Sequence, residues 1–148
     1  MTPETPVFVA RPPLTVSTGE LEALAGVSAA TLNYWVHRGV LNPEKDTQGS
    51  GDPRRWSKTD FAGVRVLFHC RDLGLNRMLQ ANMVGFMAAG GWPLAPGLLV
   101  VSARAIGYVP PQLPLALPPG DAAVVVIDLQ QISREVESAW PTHSRKGR

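Results

Sequence analysis

Ser28-Ala29-Ala30-Thr31-Leu32-Asn33-Tyr34-Trp35 runs into Arg38-Gly39-Val40-Leu41-Asn42-Pro43, and Pro53-Arg54-Arg55-Trp56-Ser57 follows after a short polar segment. This stretch decides the fold. Ser28 is a helix-capping residue type, and Leu32, Trp35 and Val36 recur at helical spacing, which predicts a helix over about Ala29 to Arg38. Its second face carries Ala30, Asn33, Tyr34 and His37. Gly39 closes the helix. Between Pro43 and Pro53, the residues Gly49, Ser50, Gly51 and Asp52 suit a hairpin tip. Arg54-Arg55-Trp56 then returns as a short strand. A capped helix, a Gly-Val-Leu exit, a turn-rich loop and a basic-aromatic return are the parts of a winged helix-turn-helix.

Upstream, Thr18 is read as the cap of a first helix, with Glu20 and Glu22 suiting its start. Leu21, Leu24 and Ala25 point inward and Gly26 ends it. Pro3, Pro6, Pro12 and Pro13 make residues 1–13 a flexible arm. Downstream, Ser57 or Thr59 caps a helix whose inward set is Phe61, Val64, Leu67 and Phe68, broken at Gly74. Leu75 to about Met87 forms the next, with Leu79, Met83 and Phe86 or Met87 inward. Gly90-Gly91-Trp92-Pro93 stops helix formation, and 90–97 reads as a linker.

Beyond it the pattern turns extended. Leu98 to Val101 and Ile106 to Val109 read as strands, and a proline-rich loop spans Pro110 to Pro119. The nearly continuous β-branched run Ala122 to Ile127 reads as a central strand. A last helix begins at Asp128, with Leu129, Ile132, Val136 and Trp140 or Ala139 as its buried stripe, and Pro141 ends it. The expected fold class is therefore a mainly α winged helix-turn-helix over 14–89, joined to a small α+β module of short strands and one helix over 98–141. Residues 142–148 form a basic tail.

The chain has 148 residues, 45% hydrophobic and 18% charged, which is a globular composition. Its formal net charge is only +2, so the distribution of charge says more than the total. From Arg54 to Arg77 there are six basic and two acidic residues, an excess that suits a phosphate backbone or a solvated helix face. One cysteine, Cys70, forms no intrachain disulfide, and His37, His69 and His143 are too scattered for a metal set. No apolar run approaches the ~20 residues that span a bilayer. A cytoplasmic location, no membrane partner, no metal and no cofactor are expected.

Thr31-Leu32-Asn33-Tyr34-Trp35, Gly39-Val40-Leu41-Asn42-Pro43, Arg54-Arg55-Trp56-Ser57, Asp60 and Arg71-Asp72-Leu73-Gly74-Leu75 occur in order along the chain. Together they resemble the DNA-binding domain of the MerR family of bacterial transcription regulators, over about Leu14 to Met87. The resemblance implies a winged helix-turn-helix with two further helices that binds double-stranded DNA as a homodimer, with RNA polymerase as a further partner. It places the second helix in the major groove and the wing on the backbone. By position, Thr31, Asn33 and Tyr34 fall on the recognition helix and Arg55 on the wing, beside Arg54. Ser28, Ala30, His37 and Arg38 complete the expected DNA-binding set. Trp56 stands at the wing aromatic and should pack.

The chain departs from the family pattern twice. Asn33 stands where the family usually has arginine, and it can bond an adenine edge or a phosphate. Gly90-Gly91-Trp92-Pro93 forbids the long helix through which many of the family's regulators dimerise. The C-terminal half resembles, weakly, the strand-rich tails of some actinobacterial MerR-like proteins.

The leading expectation is a sequence-specific transcriptional regulator of MerR type, with the C-terminal module supplying dimerisation or an effector site. The alternative is an excisionase-like factor that bends DNA for a phage or mobile element. An enzyme is disfavoured, because His69 and the adjacent Cys70 point to different sides of a helix and make a poor dyad.

Overall fold

The computed structural model describes residues 13–43, 54–117, 120 and 123–142. All but the last residue of the arm expected over 1–13, most of the expected hairpin tip and all but the first residue of the tail expected over 142–148 lie outside the described residues. The elements run β1 (Val16–Ser17), α1 (Thr18–Ala25), α2 (Ala29–His37), β2 (Arg55–Trp56), α3 (Lys58–His69), a 3₁₀ turn (Arg71–Leu73) and α4 (Arg77–Ala89). Then come β3 (Leu98–Ser102), β4 (Ile106–Val109), β5 (Val124–Asp128) and α5 (Leu129–Ala139). A helix-turn-helix half thus precedes a small α+β half, as the sequence pattern predicts.

Local chemistry explains most helix ends. Ser17 caps α1 in a reciprocal box: its hydroxyl accepts from the Glu20 N–H, and the Glu20 carboxylate accepts from the Ser17 N–H, both at 3.1 Å. The expected cap, Thr18, lies one residue inside the helix, and its hydroxyl accepts instead from the Trp56 indole N–H at 2.9 Å. Gly26 ends α1 at φ +68°, where its N–H reaches the Glu22 carbonyl. Ser57 and Asp60 form a second capping box at α3, so Ser57 rather than Thr59 is the cap.

Helix α3 ends at His69, before the expected break at Gly74. The backbone tightens into the 3₁₀ turn first, and Gly74 closes that turn at φ +65°.

The wing strand finds its partner upstream of both helices of the turn. β2 pairs antiparallel with β1, in the register Val16 to Trp56 and Ser17 to Arg55, and not with the Gly-Val-Leu exit of α2. That exit folds back on α2. The Val40 and Leu41 N–H groups both reach the Trp35 carbonyl, and both side chains are buried. A segment committed to a helix end in this way has no backbone to offer a ladder.

In the second sheet the strand order is β4-β3-β5, antiparallel throughout. The β-branched run over 122–127 was expected to be central; β5, which takes up its described residues from Val124, is an edge strand, and β3 is the centre. A central strand is apolar on both faces, whereas β5 alternates, with Ile127 buried and Val126 exposed. At Gly97 the backbone passes so close to β4 that a Cβ would meet Tyr108 at 2.6 Å and the Val109 carbonyl at 2.7 Å. Only glycine fits there.

The buried apolar cluster runs from Val16 through α3 to Trp140. Helix α3 is its axis, packed against α1, α4 and α5. Phe61 on α3 meets Trp140 with ring centroids 6.3 Å apart. The Glu137 carboxylate on α5 accepts from Lys58 at 2.9 and 3.0 Å and from the Trp92 indole at 2.6 Å. Both bonds, and the Lys58 charge, hold that carboxyl below the usual glutamate range.

Candidate nucleic-acid interface

Helix α2 buries Leu32 and Trp35 beneath it, and this turns its second face outward. Ala30, Asn33, Tyr34, His37 and Arg38 are all exposed, Tyr34 by 55%. The helix N-terminus is satisfied within the chain. The Ser28 hydroxyl accepts from the Thr31 N–H at 3.2 Å and lies 2.9 Å from the Thr31 hydroxyl. The Glu22 carboxylate accepts from the Ala29 N–H at 2.7 Å. Ser28 and Thr31 therefore build the end of the helix, while the outward face begins at Ala30.

Three guanidinium groups border this face. Arg54, at the foot of the wing, donates through Nη1 to the Asn33 Oδ1. Arg38 lies over the Tyr34 ring, 5.5 Å from its centroid, in a cation–π arrangement. Arg77, at the start of α4, donates through Nε to the Arg38 carbonyl. Asn33 thus holds a wing arginine in place, which ties the wing to the helix. The polar work of Asn33 is at least partly internal.

Arg55 turns another way. Its Nε donates to the Thr15 hydroxyl at 3.1 Å and its Nη2 to the Thr15 carbonyl at 3.0 Å. These two bonds use one edge of the guanidinium; its three remaining N–H donors lie outside the pair. Trp56 is fully buried and packs, as expected from its place beside the wing.

The basic run from Arg54 to Arg77 does not form one patch. Lys58 pairs with Glu137 on the side of α5. Arg65 donates to the Ala25 carbonyl at the end of α1, and Arg71 to the Phe68 carbonyl. Both guanidiniums also lie over the Phe68 ring, at 5.3 and 4.0 Å. Only Arg54 and Arg77 of that run adjoin the outward face of α2. Sequence reasoning counted Arg77 in the run but missed its place. No local signal could have found it, since the contact spans 39 residues.

Of the expected site residues, Asn33, Tyr34, Arg38 and Arg54 come together, with Ala30 and His37 on the same exposed face. Ser28 and Thr31 stand at its N-terminal end, and Arg55 lies one strand residue beyond Arg54. A guanidinium binds phosphate oxygens in a planar, two-bond geometry, and a helix face of this width enters a major groove. The arrangement can therefore supply both backbone contacts and base-edge contacts.

Elsewhere the chemistry is sparse. Burial pushes the Cys70 thiol up to about 11, well away from a reactive thiolate. Among the described residues, no group of three or more His, Cys, Asp or Glu could hold a metal ion, and no helix is long and apolar enough to cross a membrane. Between the end of α4 and the C-terminal half, a cavity of about 410 Å³ is lined by apolar side chains, among them Phe86, Met87, Leu94, Tyr108 and Leu129. The Trp92 indole N–H donates to Glu137, away from this lining.

Residues 16–77 match the family described as MerR HTH family regulatory protein. No curated protein matches the chain. The matched segment spans β1 through the first residue of α4, and so includes α2, the wing strand and all three arginines that border the outward face. Over that segment, which is less than half of the chain, the protein is similar to the helix-turn-helix of MerR-family DNA-binding regulators.

Proposed function

We propose, taking the MerR-type helix-turn-helix segment as the premise, that this chain is a sequence-specific transcriptional regulator acting as a homodimer on double-stranded DNA in the cytoplasm. The observation that carries the proposal is the outward face of α2. It presents Ala30, Asn33, Tyr34 and His37 to solvent and is bordered by the guanidiniums of Arg38, Arg54 and Arg77. In this reading α2 lies in the major groove. Tyr34 and His37 reach base edges, and Arg38, Arg54 and Arg55 contact phosphates. Asn33 acts first on Arg54 and only then on DNA.

Two copies would read two half-sites, so the symmetry of the dimer is repeated in the DNA. Helix α4 stops at Ala89, ahead of Gly90-Gly91-Trp92-Pro93, and among the described residues the helix that follows, α5, has eleven residues. The dimer contact is therefore assigned to the 98–141 region. RNA polymerase is the enzyme whose promoter access such a regulator would alter.

A randomised-pool binding selection with the full chain tests this reading. Paired half-sites separated by about one helical turn or a multiple of it are expected, with affinity falling steeply as salt rises. Sedimentation of the free protein should give a dimer mass. A pool that returns no enriched motif overturns sequence-specific binding. A long cooperative footprint with large bending and no paired half-sites would favour the architectural, excisionase-like role.

A further inference from the structure

We propose that Trp140, at the C-terminal end of α5, is a positioning residue for the wing arginine Arg55, so that the second half of the chain sets the DNA-contacting geometry of the first. This rests on the DNA-binding reading above and adds to it a route by which the C-terminal half acts.

The contacts form an unbroken series. The Trp140 side chain is buried, 4% exposed, with its ring against Phe61 of α3. Its indole N–H donates to the Pro13 carbonyl at 2.7 Å, across 127 residues of sequence. Two residues further on, Thr15 receives both bonds from the Arg55 guanidinium, one on its hydroxyl and one on its carbonyl. The next two residues, Val16 and Ser17, form the whole of β1 and pair with Trp56 and Arg55.

A two-stranded ladder of two residues per strand is too short to hold itself in water. It needs an anchor at each end. Toward α1 that anchor is the bond from the Trp56 indole to Thr18. Toward the N-terminus it is the bond from Trp140 to Pro13. Removing the second leaves Thr15 tethered from one side only, and Arg55 takes its orientation from Thr15. Bonding one guanidinium edge to Thr15 fixes the plane in which the remaining donors lie, and a phosphate contact depends on that plane.

Trp140→Phe keeps an aromatic ring against Phe61 and removes the donor. In the full-length chain, with a DNA site taken from the selection, affinity should fall about three- to tenfold, as for one lost hydrogen bond. The loss should vanish in an Arg55→Ala background and persist undiminished in an Arg38→Ala background. Amide exchange over residues 14–17 should quicken while exchange within α2 stays the same. If Trp140→Phe lowers affinity equally with and without Arg55, or leaves both affinity and the exchange of 14–17 unchanged, the proposal is overturned. Should Trp140→Phe fail to fold, benzothienylalanine at position 140 keeps the ring shape, drops only the N–H, and is judged by the same readouts. A native chain that binds no DNA would overturn the functional reading instead, while the exchange measurement still judges the anchor.

Discussion

Helices α2 and α5 have nine and eleven residues, and each buries one face. Their outward faces differ. Around α2 stand Arg38, Arg54 and Arg77, each in contact with the helix or with its C-terminal cap. The outward side of α5 carries both signs, Arg134, Glu135 and Glu137, and Glu137 is tied back to Lys58 and Trp92. Inward, α5 buries Leu129, Ile132 and Val136, and Trp140 follows just beyond its end. α2 commits only Leu32 and Trp35. One helix is built to hold the molecule together, and the other is held so that its face stays open. Substitutions on α5 should therefore move stability, and substitutions on the face of α2 should move DNA binding.

The strongest way to break this contrast is to remove α5 altogether. A chain ending at Gly91 loses Leu99, Val101, Ile127, Leu129, Ile132, Val136 and Trp140 from the same apolar cluster that holds Phe61 and Val64. It should fail to show a cooperative thermal transition by circular dichroism. The sequence alone favours the opposite result, since the linker-like 90–97 segment invites a cut, and a sharp native-like melt would restore that view.

Trp140→Ala is the next largest. It should cost about 3–5 kcal/mol in denaturant unfolding, as for other large aromatic truncations in a core. A change below about 1 kcal/mol would remove α5 from its structural role.

On α2 the expected effect moves to DNA. Arg54→Ala and Arg38→Ala should each weaken binding about tenfold, as for a lost charge-assisted contact, and each should lower the salt slope by about one. Their unfolding free energies should stay within about 0.5 kcal/mol of the native chain. Equal losses of stability and binding would erase the distinction between the two helices. Asn33→Ala should weaken binding less once Arg54 is already alanine, because Asn33 acts partly through Arg54. Full additivity would make Asn33 an independent contact.

The smallest effect belongs to the exposed pair at the edge of α5. The folded state holds the Glu137 carboxyl below its ordinary range, so it adds stability at neutral pH. That stability is lost as the pH falls through the lowered folded value. Exposure to solvent limits the pair to about 0.5 kcal/mol. Glu137→Gln should lower stability by that amount at neutral pH and converge with the native chain in acid. Parallel curves at all pH values would show that the ion pair contributes nothing.

Much of this molecule was legible because the deciding interactions are local. Ser28 and Ser57 cap their helices through amides three residues away. Gly26 ends α1 with a left-handed turn, and the spacing of Leu32 and Trp35 oriented α2 before any packing was known. Thr18 was misread as a cap because Ser17 beside it has the same chemistry, and nothing short of the Trp56 contact separates them. The edge position of β5 was misread because six apolar residues in a row, four of them β-branched, look alike whether one face is covered or both.

The sequence by itself determined the order of the helices, the caps at Ser28 and Gly26, the face α2 would expose and the basic, aromatic character of the wing. These follow from hydrogen bonds within four residues and from helical periodicity, which every chain of this sequence carries. Tertiary structure alone decided that β1 is the partner of the wing strand, that Arg77 borders α2, that Asn33 engages Arg54, and that Trp140 reaches Pro13. Those contacts cross 21 to 127 residues. They depend on how α3 packs α1, α4 and α5 around itself, and burial of shared apolar surface is a property of the whole chain rather than of any segment.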